Sequence, residues 1–157
     1  MFITEDDLTG EAVTALLQEH FRDMHAITPP GSAHVLDIAS LRSPNITFWS
    51  MWNDGDLLGC GALKELNATT GEIKSMRTVA AHKRKGVASS ILRHIISVAQ
   101  QREYTYLHLE TGSFPAFQPA RNFYEKHGFT YRSPFADYKD DPNSVFMTKC
   151  LDTSNQA

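Results

Sequence analysis

One segment, residues 72–102, constrains the fold of this chain more than any other. Residues 72–79 have the composition of an extended strand, and residues 82–86 read His-Lys-Arg-Lys-Gly. Apolar residues then recur at helical spacing at Ala88, Ile91, Leu92, Ile95, Val98 and Ala99. The sequence therefore predicts a strand, a basic loop containing a glycine, and an amphipathic helix that ends near Arg102 and packs against a sheet.

The predicted strand at 72–79 has two mixed faces. Alternation places Glu72, Lys74, Met76 and Thr78 on one face and Ile73, Ser75, Arg77 and Val79 on the other. The pattern alone does not decide which face is buried.

Other elements flank this segment. Helical spacing of apolar residues precedes Thr28, and Ser32 is the predicted N-cap of a short helix that carries Val35, Leu36, Ala39 and Leu41. We expect a hairpin from residues 46–52 and 57–63, a strand at 105–110, a helix at 120–127 closed by Gly128, and strands at 129–132 and 144–151. The order predicts one α/β (α+β) domain over residues 1–157.

Charge and cysteine usage narrow the class of protein. The net charge, 15 basic minus 18 acidic residues, is −3, which lacks the electrostatic footprint of a nucleic-acid binder. The chain starts with acidic residues instead of a basic signal-peptide region, and no apolar run reaches the roughly 18 residues of a membrane span. Cys60 and Cys150 lie in apolar stretches, which predicts buried thiols in a reducing compartment. We therefore expect a cytoplasmic protein with neither a nucleic-acid nor a membrane partner.

The basic loop has the chemistry of an anion site. The first amides of a helix are unpaired and carry its positive dipole end, and a glycine lets the backbone approach a phosphate closely. Lys83, Arg84 and Lys85 add positive charge there. One glycine satisfies neither the Walker A nor the dinucleotide fingerprint. From charge alone, a solvated basic turn remains an equal alternative to a phosphate site.

Four segments together resemble the GNAT superfamily of acetyl-CoA-dependent N-acetyltransferases, in their stand-alone bacterial form. Its cofactor loop, Gln/Arg-x-x-Gly-x-Gly/Ala, is similar to residues 83–88, Lys-Arg-Lys-Gly-Val-Ala. Residues 72–79 resemble the preceding strand, residues 120–129 the A-x-x-x-Y-E-K-x-G-F segment, and residues 145–151 the last strand. The resemblance covers residues 46–151.

The resemblance implies a fold and a cofactor site. It implies a mixed, mostly antiparallel sheet that opens in a V between residues 72–79 and 105–111, with acetyl-CoA as co-substrate in the opening. The backbone of Thr78 and Val79 would pair with the pantetheine arm, and Tyr124 would protonate the departing CoA thiolate. The pyrophosphate would bind the loop and helix start at Lys83, Arg84, Lys85, Gly86, Val87, Ala88 and Ser89.

Two positions depart from the family pattern. Lys83 stands where Gln or Arg is usual, which keeps a charge but loses the guanidinium fork. Phe117 stands seven residues before the tyrosine, where many members have an asparagine that contacts pantetheine. That contact is not expected in this chain.

Two carboxylates are the candidate general bases, because the acceptor amine must lose a proton when it is acetylated. Glu72 ranks first, since the histone-acetylating branch of the family places a glutamate eleven positions before the cofactor motif. Glu110, at the end of the strand across the predicted V, ranks second. No metal-ligand spacing and no nucleophile motif is present, which favours direct transfer in a ternary complex without a metal.

The acceptor is the least constrained part of the prediction. Asp137, Asp140 and Asp141 precede the last strand and favour a cationic amine, or form an ordinary solvated loop. A small-molecule primary amine is the first expectation. Acetylation of a protein α-amine or lysine is the second, and a non-catalytic acetyl-CoA-binding module is the third. The sequence also leaves a homodimer open.

Overall fold

The computed structural model describes residues 1–151. In chain order the elements are β1 (Phe2–Glu5), α1 (Glu11–Ile27), α2 (Ile38–Leu41), β2 (Ile46–Asn53), β3 (Asp56–Asn67), β4 (Thr70–Thr78), α3 (Val87–Gln101), β5 (Tyr106–Gly112), α4 (Gln118–Lys126), β6 (Thr130–Arg132) and β7 (Ser144–Cys150). Short 3-10 turns at Ala80–His82 and Pro115–Phe117 precede α3 and α4. The predicted mixed α/β architecture is confirmed.

The strands form one seven-stranded sheet in the order β1-β2-β3-β4-β5-β7-β6. All neighbours are antiparallel except β4 and β5, which are parallel and pair only from Thr70–Tyr106 to Glu72–His108. Beyond that point β4 continues to Thr78 and β5 to Gly112 without pairing to each other. The predicted V between these two strands is therefore confirmed, and Glu72 lies at its apex.

Two apolar clusters cover the two faces of the sheet. Strand alternation sends Leu63 of β3 into the cluster under α3 and α4, and Cys60 and Ala62 into the cluster under α1 and α2. Gly61 lets α3 pack close to β3, because a Cβ at that position would lie 2.8 Å from Ile91 Cγ2 and 2.7 Å from Met76 Sδ. This packing fixes the start of α3 beside the open end of β4.

A β-bulge interrupts β4, so the predicted uninterrupted alternation of residues 72–79 is wrong. Ser75 has φ +56°, and the pairing with β3 shifts between Lys74–Ala62 and Arg77–Cys60. Before the bulge, Ile73 packs in the α3 cluster; after it, Met76 does so. Arg77 turns instead to α1. Glu72 and Lys74 therefore do not share a face with Met76.

Three further expectations are corrected. The exposed edge strand β1 was not predicted, because its residues show no clear alternation. The short helix begins at Ile38 with Asp37 as N-cap, whose carboxylate accepts from the Ser40 amide at 2.7 Å; Ser32 caps nothing and donates to Asp141 instead. Cys60 is buried as expected, but Cys150, the last residue of β7, is exposed.

Candidate active site

The loop before α3 has the backbone conformation of an anion site. Arg84 and Gly86 adopt left-handed φ values of 65° and 81°. Gly86 is the N-cap of α3 and its first helical bond is Ser90 N to Gly86 O, so the amides of Val87, Ala88 and Ser89 lie outside the helical ladder. No side chain caps them. The three cations at 83–85 are exposed around this turn.

The end of β4 presents backbone groups to the open V. Val79 N–H donates to Leu58 O at 2.8 Å, so that amide is engaged with β3. Hydrogen-bonded and non-hydrogen-bonded pairs alternate along an antiparallel ladder. Because Val79 is hydrogen-bonded to Leu58, the neighbouring pair of Thr78 and Gly59 is not hydrogen-bonded, and the N–H and C=O of Thr78 point away from β3. Of the two residues predicted to pair with pantetheine, Thr78 has both backbone groups directed to the opening.

A cavity of about 210 Å³ fills the space between β4 and β5. It brings together side chains from both strands, from α1, from the loop before α2 and from α4. Its walls include Met24, His34, Glu72, Lys74, Arg77, Glu110, Phe117 and Tyr124. All three predicted catalytic residues therefore line one cavity.

Glu110 has the protonation behaviour of a base that works near neutrality. Burial raises the pKa of its carboxyl to about 7, and the nearby charge of Glu72 acts in the same direction. The Ser144 hydroxyl and the positive charge of Lys74 act in the opposite direction and lower the pKa. Both protonation states of Glu110 are therefore populated around neutral pH.

Tyr124 stays protonated. The side chain is 8% exposed and packs against Phe123 and Phe129, and burial alone raises the pKa of its phenol far above the usual value. Its hydroxyl is therefore a permanent hydrogen-bond donor at the cavity wall.

Glu72 is held in a buried ion pair. Its carboxylate is 2% exposed and accepts from Lys74 Nζ at 3.2 Å and from the Tyr138 hydroxyl at 2.6 Å. The Lys74 ammonium also donates to Tyr138 Oη at 2.9 Å and lies near His34 O at 3.4 Å. Glu72, Lys74 and Tyr138 form a closed triangle, which we call the buried triad.

Phe117 fills the position where the family pattern has an asparagine. Its ring packs against Gly112, where an added Cβ would lie 2.1 Å from Phe117 Cδ2. Arg121 fixes the same corner, because its Nη1 donates to Gly112 O at 2.6 Å and to Phe114 O at 3.1 Å. These hydrogen bonds hold the corner together, and the Phe117 ring makes its cavity side apolar.

Sequence reasoning pointed to Asp141 on the acceptor side but missed the contacts of Tyr138, Ser32 and Asn143 there. Tyr138 lies in an irregular loop where no periodicity signals a role. Asp141 accepts from Ser32 Oγ, and Asn143 Nδ2 donates to Ser32 Oγ at 3.3 Å, which joins the loop before α2 to the loop before β7. Contacts between residues more than a hundred positions apart leave no local signal.

The part of the chain that the structure describes contains neither a group of metal-ligating side chains nor a membrane-spanning helix. Over residues 1–151, no three His, Cys, Asp or Glu side chains are grouped so that they could hold a metal ion. Within the same range, every helix is too short or too polar to cross a bilayer.

Comparisons with known proteins agree with this geometry. The model of the acetyltransferase (GNAT) family matches residues 11–129. A Bacillus subtilis protein named an uncharacterized N-acetyltransferase, YsnE, is 58% identical over 96% of this chain and 100% of its own length. A Klebsiella pneumoniae structure described as an acyl-CoA N-acyltransferase has a TM-score of 0.74 at 25% identity, covering 96% of this chain and 97% of that chain. An aminoglycoside 6'-N-acetyltransferase complexed with coenzyme A shares the fold, with a TM-score of 0.71, 13% identity, and coverage of 96% and 97%.

Proposed function

The chain belongs to the acetyltransferase (GNAT) family and is an N-acetyltransferase, and we propose that it acetylates a primary amine on a small molecule by direct attack in a ternary complex with acetyl-CoA. The observation that carries this proposal is the pairing of Glu110 and Tyr124 on one cavity. The Glu110 carboxylate can accept a proton near neutral pH, and the Tyr124 hydroxyl keeps its proton.

The loop before α3 fits the diphosphate of acetyl-CoA. The uncapped amides of Val87, Ala88 and Ser89 and the exposed cations of residues 83–85 match the charge and the acceptor oxygens of a diphosphate. The free backbone groups of Thr78 lie between this turn and the cavity, where they can pair with the amides of the pantetheine arm. A structure of the same fold complexed with coenzyme A supports acetyl-CoA as the co-substrate.

Glu110 is the proposed base, in preference to Glu72. The Glu72 carboxylate is already engaged by an ammonium and a phenol, and accepting a further proton would disrupt both contacts. Glu110 has no ion-pair partner within 4 Å among the described residues, and its pKa of about 7 is close to the operating pH. A base of this strength is well matched to proton removal from an amine.

The bond changes assign one proton to each residue. Glu110 takes one proton from the bound ammonium, and the neutral nitrogen that results attacks the thioester carbon. The new C–N bond forms, the C–S bond breaks, and the second proton leaves the nitrogen to solvent. Tyr124 donates to the departing sulfur, and the Tyr124 proton is restored from solvent after release.

The acceptor half of the cavity favours a compact, cationic amine over the surface of a folded protein. The contact between Ser32 and Asp141 closes the cavity on the side of the β6–β7 loop. Asp137 and Asp140 stand on the outer surface of the same loop and line a second hollow that shares Glu72 with the cavity. Lys64 and Lys139 also line this hollow, but the three aspartates and Glu72 outnumber them, which suits a small cation.

A coenzyme A release assay tests this proposal. The protein is incubated with acetyl-CoA and a panel of small primary amines, polyamines, amino acids and peptides, and free thiol is measured against the Glu110→Gln variant. The proposal predicts release with at least one small amine and a strong loss in the variant. Release with peptides alone would assign the acceptor to proteins. Tight binding of acetyl-CoA without release for any amine would contradict an acetyl-transfer role.

A further inference from the structure

The buried triad is an unusual feature of the cavity. Lys74 and Glu72 are 8% and 2% exposed, so two charges have been removed almost fully from water. Such pairs contribute little net stability compared with apolar residues of similar size, because desolvation offsets their attraction. A buried pair at the wall of a catalytic cavity therefore needs an explanation other than stability.

Strand geometry places the pair beside Glu110. Glu72 is paired with His108 across the parallel β4–β5 ladder, and Lys74 and Glu110 are each two residues farther along the same two strands. Side chains two residues apart on a strand share a face, so Lys74 and Glu110 face each other across the start of the V. The bulge at Ser75 follows directly and keeps Arg77 turned away to α1.

The triad holds the ammonium of Lys74 in one place. Glu72 Oε2, Tyr138 Oη and His34 O lie within 3.2, 2.9 and 3.4 Å of Lys74 Nζ, and these three partners come from β4 and from two loops. The ammonium forms no ion pair with Glu110 within 4 Å. It therefore acts on that carboxylate through space and leaves its oxygens free for the acceptor.

We propose that Lys74 is a positioning residue for the reaction: held by Glu72 and Tyr138, its fixed positive charge keeps the Glu110 carboxylate available as the base inside a desolvated cavity. This inference rests on the proposed role of Glu110. Without Lys74, only the Ser144 hydroxyl opposes burial and the neighbouring carboxylates, which favour the protonated, inactive form of Glu110. The groups that face Glu110 are Lys74 and Glu72 on β4, Tyr138 and Asp141 in the β6–β7 loop, and Ser144 on β7.

Titration of the Glu110 carboxyl tests the inference without any acceptor. Protein labelled with ¹³C at the glutamate carboxyl is titrated by NMR, and Glu110→Gln identifies the signal. Lys74→Met removes the positive charge, and we expect the Glu110 midpoint to rise by about one pH unit. Glu72→Gln removes a negative charge, and the midpoint should fall. Lys126→Met, an exposed change on α4, is the matched control and should leave the midpoint in place.

Two further variants test the role of Lys74 if Lys74→Met does not fold. Lys74→Met leaves Glu72 buried without its cation and could unfold the protein. The double variant Lys74→Met/Glu72→Gln is therefore compared with Glu72→Gln alone, and the Glu110 midpoint should be higher in the double variant. Tyr138→Phe keeps both charges and should move the midpoint less than Lys74→Met. A Glu110 midpoint that is the same with and without Lys74 overturns the inference, while the coenzyme A release assay decides the proposed function separately.

Discussion

Replacement of Gly86 by valine separates the proposed diphosphate site from an ordinary basic turn. Gly86 has φ +81°, a left-handed conformation that costs a residue with a Cβ about 1–2 kcal/mol. A Cβ on Gly86 meets no atom within 4 Å, so the folded chain has room for the side chain. The new methyl groups would instead occupy the space through which a phosphate approaches the amides of α3.

The expected loss of affinity follows from those amides. A hydrogen bond to a charged group contributes about 1.5–3 kcal/mol, so the loss of two such bonds weakens binding by roughly 100-fold or more. Lys85→Ala removes one exposed charge, for which about 0–1 kcal/mol is typical, or about fivefold at most. Backbone approach should therefore matter far more than this side chain.

Isothermal calorimetry with acetyl-CoA measures the difference. Gly55→Val is the matched control, because Gly55 has φ +83°, meets no atom within 4 Å, and lies in the β2–β3 turn away from the cofactor loop. Both valine variants should lose similar thermal stability, but only Gly86→Val should lose affinity. Equal affinity of Gly86→Val and Gly55→Val would refute the assignment of the loop to the diphosphate.

Three further outcomes follow from the structure. Tyr124→Phe keeps the packed ring and removes the donor, so kcat should fall by about 10²-fold or more while acetyl-CoA affinity stays within a few-fold; an unchanged rate under conditions where chemistry limits turnover would exclude Tyr124 as the acid. Burial lowers the pKa values of His20 and His108 to about 4, so the folded state binds fewer protons than the unfolded state between pH 6.5 and 4. The stability that each histidine contributes should fall as pH decreases through that window, by at most about 3 kcal/mol, while the raised pKa of Glu110 contributes in the opposite direction. The difference in urea unfolding between the parent and His108→Gln isolates the histidine contribution. Gly61→Ala places a methyl group against Met76 and Ile91 and should cost about 1–3 kcal/mol, which a thermal melt would show as a lower Tm.

The parts of the site that depend on local sequence were predictable. The helix stripe from Ala88 to Ala99, the cations of residues 83–85 and Gly86 are neighbours along the chain, so spacing and charge were enough to place the loop at the start of α3. The same holds for Tyr124, which a motif within α4 identified. The proposed preference for Glu110 over Glu72 as the base could not be predicted in this way, because it rests on contacts made after folding.

Glu72 and Glu110 illustrate what a sequence does not contain. Spacing placed both on strands that border the V, but Tyr138, 66 positions from Glu72, engages one carboxylate and leaves the other free. The bulge at Ser75 was not predicted either. Both predicted faces of this strand mix polar and apolar residues, so an extra residue in the strand does not visibly break the hydrophobic pattern. The side chains after the bulge therefore turn to faces opposite to those that alternation assigns.

The pH dependence of coenzyme A release in the parent and in Glu110→Gln shows whether Glu110 is the general base. The assay uses a saturating acetyl-CoA concentration and an amine found by the panel. For the parent, kcat/KM for the amine should rise with pH up to about 7, as Glu110 loses its proton, and the ionisation of Glu110 should cause no further rise above that pH. Glu110→Gln should lose about 10²–10⁴-fold in rate, and its pH profile should lose the rise below pH 7. Glu72→Gln should keep a rise of this kind in its pH profile. A Glu110→Gln enzyme with the parent's rate and profile would contradict the account.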